Sequence, residues 1–428
     1  MKRFDAVVVG AGPAGLSAAA ELARTGSVLL IEQGLPTSQR QRERPEQVLS
    51  GVGGAGLFSD GKHSFFPSAQ ALWTLPDHQA LQEAFASTSE LLRRHGLSAA
   101  PLDLPPKAAV TTTTTTLAPG VWHEKHYPAL YVPLSARLRC IQELWAQATE
   151  HHSGARIVGA RRDGDRIVLD VDVDAADGPA QVSAAAVVVA TGRWSPRFVG
   201  SWLRELGVRF AFRRVEFGVR LEAASGAALF ARLPGVDGKL RFLHEGPDDD
   251  DDGSTEWRTF CTCRDGRVVL GRAGGMSAFS GHADGPASGR SSVGLLVRST
   301  SPSLGRELDC VLPSALPETL SLRSWRQAGP ARLASIFGPR GSVLVWRGLQ
   351  HLLAWEPSLG DDDDDVLVHA PCIEGVGDYP VDDGSLQVAP GVWVAGDAVG
   401  RFRGIVASMI SGRYAAAQIQ RSRRAAGR

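Results

Sequence analysis

Unbroken apolar runs stand apart from alternating ones along this chain. Residues 6–9 (AVVV) form a short apolar run rich in β-branched side chains, the pattern of a strand covered on both faces of a parallel sheet. Residues 28–31 (VLLI) repeat the pattern, and residues 16–23 between them read as an Ala-rich helix. Two more such runs end at Ala190 and span 392–395, and helical spacing resumes at about Ile405. Residues 155–173 alternate instead, about a turn at Asp163-Gly164, as a hairpin does. LSARLRCIQELWAQATEHH, just before that hairpin, has apolar residues at helical spacing. From 202 to 373, strand-like runs mix with a helical stretch bearing Trp325, Trp346 and Trp355. Those tryptophans are expected mainly in a core, with a pocket lining or dimer face as alternatives. Strands alternating with helices at both ends predict an α/β fold with a parallel sheet.

The turn between the first strand and helix carries chemistry. Gly10-Ala11-Gly12-Pro13-Ala14-Gly15 matches G-x-G-x-x-G. Gly10 permits the tight turn, Gly12 lets the backbone approach a pyrophosphate, and Gly15 lets the helix pack on the strand. The helix N-terminus offers free N–H groups and the positive end of its dipole. Glu32, ending the second strand, stands where a carboxylate accepts ribose hydroxyls. Together these predict a dinucleotide site.

Composition narrows the class. The 428 residues carry 46 basic and 46 acidic side chains, so no general attraction to nucleic acid or an anionic membrane follows. Five scattered cysteines suggest neither a disulfide framework nor a zinc site, and no metal is expected. No run reaches the length of a membrane span, and the apolar start leads straight into the glycine motif rather than to a cleavage site. A cytoplasmic location is the expectation. Six threonines at 111–116 suggest an edge strand or a low-complexity tract, and the aspartates at 248–252 and 361–365 suggest solvated loops.

At the C-terminal end, GVWVAGDAVGRFRGIVASMISGRYAAAQI places Gly396-Asp397 after a strand and a glycine-bearing turn before a helix. Here the chain resembles the FAD-binding flavoproteins of the glutathione-reductase-like superfamily. The resemblance implies FAD, with Asp397 as a cofactor-binding acid and Arg403, Gly404 and Ile405 against the flavin ring. It also implies that Thr191 and Gly192, in the ATG closing a strand, lie beside the pyrophosphate, and that backbone near Val158 meets the adenine. The implied fold is a three-layer Rossmann-type FAD-binding domain with a β-meander crossover and an inserted α+β substrate domain. The expected division is 1–70, 136–200 and 386–428 for the first and 71–135 with 201–385 for the second. Neither a second full G-x-G-x-x-G nor the C-x-x-x-x-C pair of the disulfide reductases is present.

SGVGGAGLFSDGK, with EFGVRLE, RTFCTCRDGRVV, GGMS and RFRGIVASMISG, resembles in particular a bacterial family of uncharacterised FAD-dependent dehydrogenases. Gly53, Gly54, Ala55 and Gly56 would then bring backbone amides to the cofactor, as a nest does for anions. The chain departs from that family at CIEGVGDYPVDDG, where Glu374 has no following Arg, and after GGMS, where the Asn-rich motifs are missing.

Asp60, Lys62 and His63 are the candidate catalytic groups, with a turn cap and solvated side chains as the alternative. Arg220 and Arg258 are candidates for a substrate carboxylate, with plain surface arginines favoured. Cys261 and Cys263 alternate on a strand, as core or as a redox pair. The expected activity is hydride transfer at flavin N5 with a small organic substrate, apolar or aromatic, and NAD(P)H or an external carrier as electron partner; a biosynthetic tailoring role fits. Two alternatives stay open. TGRWSPRF partly matches a monooxygenase motif, with Thr191 for Asp and Arg197 one place early; a non-catalytic binding protein on the same fold is the other. The oligomeric state is not legible.

Overall fold

The computed structural model describes residues 1–97, 118–173, 180–233, 235–244, 253–361 and 363–426. The threonine run at 111–116 and the aspartates at 248–252 lie outside them, as does Asp362. Two sheets organise the chain. The first has the order Gln387–Ala389, Val392–Val394, Ala180–Val189, Lys2–Val9, Val28–Glu32, Glu150–Ser153. All neighbours but the first pair run parallel. Its central strands are buried on both faces, with Ala6, Val7 and Val8 fully inaccessible, which is why their apolar runs do not alternate. The hairpin Ala155–Asp163 and Arg166–Val173 joins through an antiparallel pairing of its second strand with the N-terminal half of Ala180–Val189. The fold is the mixed α/β, Rossmann-type arrangement that the apolar runs imply.

The helices Pro13–Leu22 and Ile405–Ala426 pack on each other, and Gly412 makes this close: a Cβ there would stand 2.0 Å from Ala14 O. Residues 71–97 depart from the expected division. Leu72, Trp73, Leu81, Phe85 and Leu92 join the core of the first sheet, because the amphipathic helix His78–Arg94 lies along Ile405–Ala426. Residues 202–208 likewise bury Trp202, Leu203 and Leu206 there.

The second sheet is antiparallel, in the order Glu318–Ser321, Leu367–Pro380, Phe210–Ala224, Arg290–Ser299, Thr255–Cys263, Lys239–Leu243, Trp122–Lys125. Successive side chains alternate between its faces. Phe217, Leu240, Phe242, Trp257 and Val297 face one way, into a second apolar core that includes the helix Ala334–Trp355. Trp257 donates to Leu344 O at 2.8 Å, and Gly348 yields the space its indole needs. Trp325, Trp346 and Trp355 belong to that core, away from the cavity described next. The residues between, Glu216, Lys239, Arg241, Arg258 and Arg298, face the first domain, and Glu256 pairs with Arg241 and Arg298 among them.

Candidate active site

The C-terminal ends of the parallel strands and the charged face of the antiparallel sheet enclose a cavity of about 900 Å³. Gly10, Gly12, Pro13, Ala14, Glu32, Gly54, Ala55, Gly56, Thr191, Gly192, Gly396, Asp397, Arg403, Gly404 and Ile405 line it, so segments from both ends and the middle of the sequence meet here. Gly10 has φ +100°, and a Cβ on Gly15 would fall 1.8 Å from Gly10 O; both glycines are fixed by the turn itself. Gly12 differs. Its backbone is extended, and a Cβ there would meet only Gly54 Cα at 3.9 Å, so nothing in the chain demands a glycine. The helix that follows has no side-chain cap. Leu16 is the first of its amides bonded back, to Gly12 O at 2.9 Å, leaving the Ala14 amide at the cradle.

Glu32 is 6 % exposed and accepts from Ala11 N (2.8 Å), Gly34 N (2.9 Å) and Gly51 N (3.0 Å). It ties the first glycine turn to the second, with one lone-pair position left for a ligand hydroxyl. Gly53 and Gly54 take positive φ, and Gly53 N donates to Ala11 O at 2.8 Å. Gly53 and Gly15 support the cradle from behind and are not part of its lining. Two buried arginines that the sequence reading missed hold this loop by its carbonyls. Arg40 donates to Gln47, Val48, Gly51, Val52 and Gly54, and Arg137 to Gly56 and Leu57. Burial pulls the Arg40 guanidinium down to about 10. Val158 is half exposed and outside the lining, which takes Ala155, Arg156 and Ile157 from the same strand instead.

Asp60 and Lys62 face the cavity and are buried, not solvated. Lys62 Nζ lies 2.7 Å from Asp60 Oδ2, 2.8 Å from Asp237 Oδ1 and 2.5 Å from Thr262 O. Burial alone would lower the ammonium; Asp60 and Asp237 hold it well above its usual range, so it stays charged and cannot serve as a base. Tyr127 donates to Asp237 Oδ2 at 2.5 Å, and Cys261 to Asp60 Oδ2 at 2.8 Å. The chain Tyr127–Asp237–Lys62–Asp60–Cys261 thus begins and ends at the cavity. His63 does not join it. It is 3 % exposed, outside the lining, and burial pulls its imidazole to about 4. Its strand, Lys62–Ser64, pairs with Ala129–Tyr131 and turns the ring inward.

Cys261 and Cys263 do not follow simple alternation. A bulge between Phe260 and Cys263, with Cys261 at φ +50°, breaks it. Both are free, and burial raises both thiols, Cys263 to about 11, so neither is a thiolate nucleophile near neutral pH. Arg220 is not on the surface: it is 1 % exposed and donates to Ser292 Oγ (2.9 Å) and Cys261 O (2.8 Å).

Arg403 joins three acidic groups, with Nε 2.9 Å from Asp397 Oδ2, Nη1 2.7 Å from Glu216 Oε2, and Glu374 at 3.4 Å. Glu216 is fully buried. Burial favours its neutral form, yet Arg403, Arg258, Arg214 and Arg298 hold it well below the usual carboxylate range. Asp397 Oδ1 is buried beside the cavity with no hydrogen-bond partner among the described residues.

Among the described residues no helix is long and apolar enough to cross a membrane, and no three His, Cys, Asp or Glu are grouped to hold a metal ion. No curated protein matches the sequence. Solved structures align along most of its length, at low identity and with TM-scores under 0.5. One is the NikD amino acid oxidase of nikkomycin biosynthesis (15 % identity, TM-score 0.46, covering 98 % of this chain and 94 % of that one). Another is a flavoprotein/dehydrogenase from Cytophaga hutchinsonii (13 %, 0.44, 99 % and 79 %). A third is the anhydrotetracycline hydroxylase OxyS from Streptomyces rimosus (14 %, 0.38, 95 %), of which this chain spans 59 %. A family profile described as FAD dependent oxidoreductase matches residues 5–291. That span is well over half of the 428 residues and holds the first glycine turn, Glu32 and the second glycine loop, so the chain belongs to the DAO family of FAD-dependent oxidoreductases.

Proposed function

We propose that this chain is a dehydrogenase-type flavoenzyme, of the kind grouped as uncharacterised FAD-dependent dehydrogenases in the glutathione-reductase-like superfamily, acting on a small organic substrate. The residues present fit the cofactor. Gly12, Gly192 and Gly404 line a cradle in which their missing side chains leave room, and Asp397 offers an unpaired buried oxygen to it. Gly12, Ala14, Gly54, Ala55, Gly56, Thr191 and Gly192 would hold the diphosphate, Glu32 a ribose, Ala155–Ile157 backbone the adenine end, and Gly396, Asp397, Gly404 and Ile405 the flavin end. When bound, FAD supplies hydride transfer at N5. The chain's own residues then hold the substrate in the remaining lobe, bounded by Lys62, Tyr127 and Phe260, and exclude water from it. The Tyr127–Asp237–Lys62–Asp60–Cys261 chain fixes a protonated tyrosine and a protonated thiol at that lobe, each proton held by a carboxylate, so that the phenolic oxygen can accept from a substrate N–H or O–H.

The single observation that carries this reading is the continuity of one cavity from the glycine turns to that second lobe. Arg197 supports dehydrogenation over oxygenation. Arg197, the arginine of the partial monooxygenase-like motif, pairs with Asp309 and is absent from the lining, so it offers no charge to the cavity. The test is to purify the protein, reconstitute it with FAD, and mix it anaerobically with a panel of small organic acids and alcohols. Bleaching of the flavin by a member of the panel without oxygen supports the reading. Product that forms only with oxygen and carries label from ¹⁸O₂ would overturn it in favour of monooxygenation.

A further inference from the structure

Among the described residues, the sheet face over the second lobe carries more positive charge than its carboxylates balance. Lys125 stands directly opposite Lys239 across one ladder, and Arg241 directly opposite Arg258 across the next. Like charges facing each other on a sheet are destabilising, and here two such pairs sit side by side, with Arg298 one strand further on. All five line the cavity. Lys239 and Arg258 are each 17 % exposed, so water screens them weakly.

Among the described residues three carboxylates reach this group, and all are shared. Asp237 lies 3.2 Å from Lys239 but also holds Lys62. Glu256 serves both Arg241 and Arg298. Glu216 lies 3.0 Å from Arg298 and 3.8 Å from Arg258, and is committed to Arg214 and Arg403 as well. Lys125 makes no ion pair among the described residues; its one close partner is the Tyr127 ring, 5.9 Å away. Burial first, and then Lys239, Arg258, Arg241 and Arg298, pull its ammonium down to about 8. Lys239 also lies over the Tyr127 and Phe260 rings and Arg258 over Phe260, but these contacts and the shared ion pairs leave the like-charge pairs facing each other. An anionic ligand would offset their repulsion, and two arginines among them can each take an oxyanion through paired N–H groups.

We propose that Lys125, Lys239, Arg241 and Arg258 form the subsite for an oxyanion of the substrate, a carboxylate or a phosphate ester, and that the enzyme's substrate is an organic anion. This rests on the functional reading above: the diphosphate of the cofactor is provided for at the strand ends, by amides, so the lobe's charge is left to the substrate. The substrate's anion docks on the roof with its remainder against Tyr127 and Phe260, directed toward the flavin end of the cavity.

The test uses FAD-loaded protein, titrated at fixed ionic strength with inorganic phosphate and with phthalate, read by the flavin absorbance change and by melting temperature. Wild type should show saturable binding of at least one of them. Lys125→Gln and Arg258→Gln should each weaken it at least about tenfold, since each removes a charge-assisted bond. Ligand-free Lys125→Gln protein should melt at or above wild type, because a like-charge pair is relieved. The proposal is overturned if neither anion binds, if the variants bind as wild type does, or if ligand-free Lys125→Gln melts lower. NADPH binding at least about tenfold tighter than NADH, with the difference lost in Arg258→Gln, would also overturn it by assigning the oxyanion to a nucleotide 2′-phosphate. A chain that takes up no FAD sinks the functional reading instead, and melting temperature still reads the anion titration in that case.

Discussion

Gly12 and Gly15 belong to one motif, yet the structure makes opposite demands on them, and replacing each with alanine tests the cofactor cradle. At Gly15 a Cβ would lie 1.8 Å from Gly10 O, backbone that cannot retreat without breaking the turn, so Gly15→Ala should fail to fold or melt far lower. At Gly12 the backbone already has φ −74° and ψ 179°, which alanine adopts freely, and the nearest atom stands 3.9 Å away. Alanine is a poorer N-cap than glycine by a few tenths of a kcal/mol to about 1, but it lowers unfolded-chain entropy by a similar amount. Apoprotein stability should therefore change by less than about 1 kcal/mol, a melting shift of no more than ~4 °C. The methyl would enter the space a diphosphate needs against the Ala14 amide. Losing one charge-assisted bond costs about 1.5–3 kcal/mol, or roughly ten- to a hundredfold in FAD affinity. The assay is titration of apoprotein with FAD by quenching of flavin fluorescence, beside a melt of each apoprotein. Gly12→Ala that binds FAD as wild type does would refute the cradle. Gly12→Ala that unfolds like Gly15→Ala would refute the claim that only a ligand requires this glycine.

Four further outcomes follow from the same geometry. Asp397→Asn should weaken FAD binding about tenfold or more, as one oxygen is aimed at the cavity and the other anchors Arg403; the same fluorescence titration reads it. Asp237→Ala should cost about 3–5 kcal/mol in urea denaturation, because it strips one of two carboxylates from buried Lys62 and the acceptor from Tyr127; a loss below about 1 kcal/mol would show the pair to be unimportant. His63 and His282 are held neutral by burial, at about 4 and about 3, so their contribution is complete above the unfolded value of about 6.5 and declines as pH falls from there toward 4. The urea midpoint should drop between pH 7 and 5, less steeply in His63→Asn. Lys125, lowered to about 8, sheds its proton in the native state first, so wild type should gain on Lys125→Gln as pH rises from 8 toward 10.

The sequence is legible where near neighbours impose the constraint. The strand, glycine turn, helix and Glu32 could be read because Gly10 and Gly15 answer to each other across five residues, and because central parallel strands leave no polar position to alternate. Pairings between distant residues leave no such trace. Lys62 meets Asp237 from 175 positions away and Arg403 meets Glu216 from 187, and no local pattern marks either pair. Arg40 looked like one arginine among many in a polar stretch, whereas it is a buried clamp on five carbonyls. His63 invited a catalytic reading from its place beside glycines, and the small ladder with Leu130 hides it instead. One signal was present and unused. Lys239 and Arg241, with Glu256, Arg258 and Phe260, keep to one parity along their strands, while Leu240, Phe242, Trp257 and Thr259 keep to the other. That alternation marks a charged sheet face opposed to an apolar core.

The two walls of the cavity recognise by different means, and this bears on where specificity can change. The parallel-sheet wall offers backbone amides and the absence of side chains, so most substitutions there abolish the site rather than retune it. The antiparallel wall offers side chains on one parity of strands whose other parity is anchored in a separate core against the helix Ala334–Trp355. Exchanging Arg241 or Arg258 therefore alters the cavity without removing an apolar contact from that core. A single-residue slip of Lys239–Leu243 against Thr255–Cys263 would instead bury Lys239 and Arg241 and expose Leu240 and Phe242, so the register is firmly set by the apolar face. Charge on the roof can thus vary while the fold stays fixed, and under the oxyanion proposal those strands, rather than the glycine motifs, would decide the class of substrate.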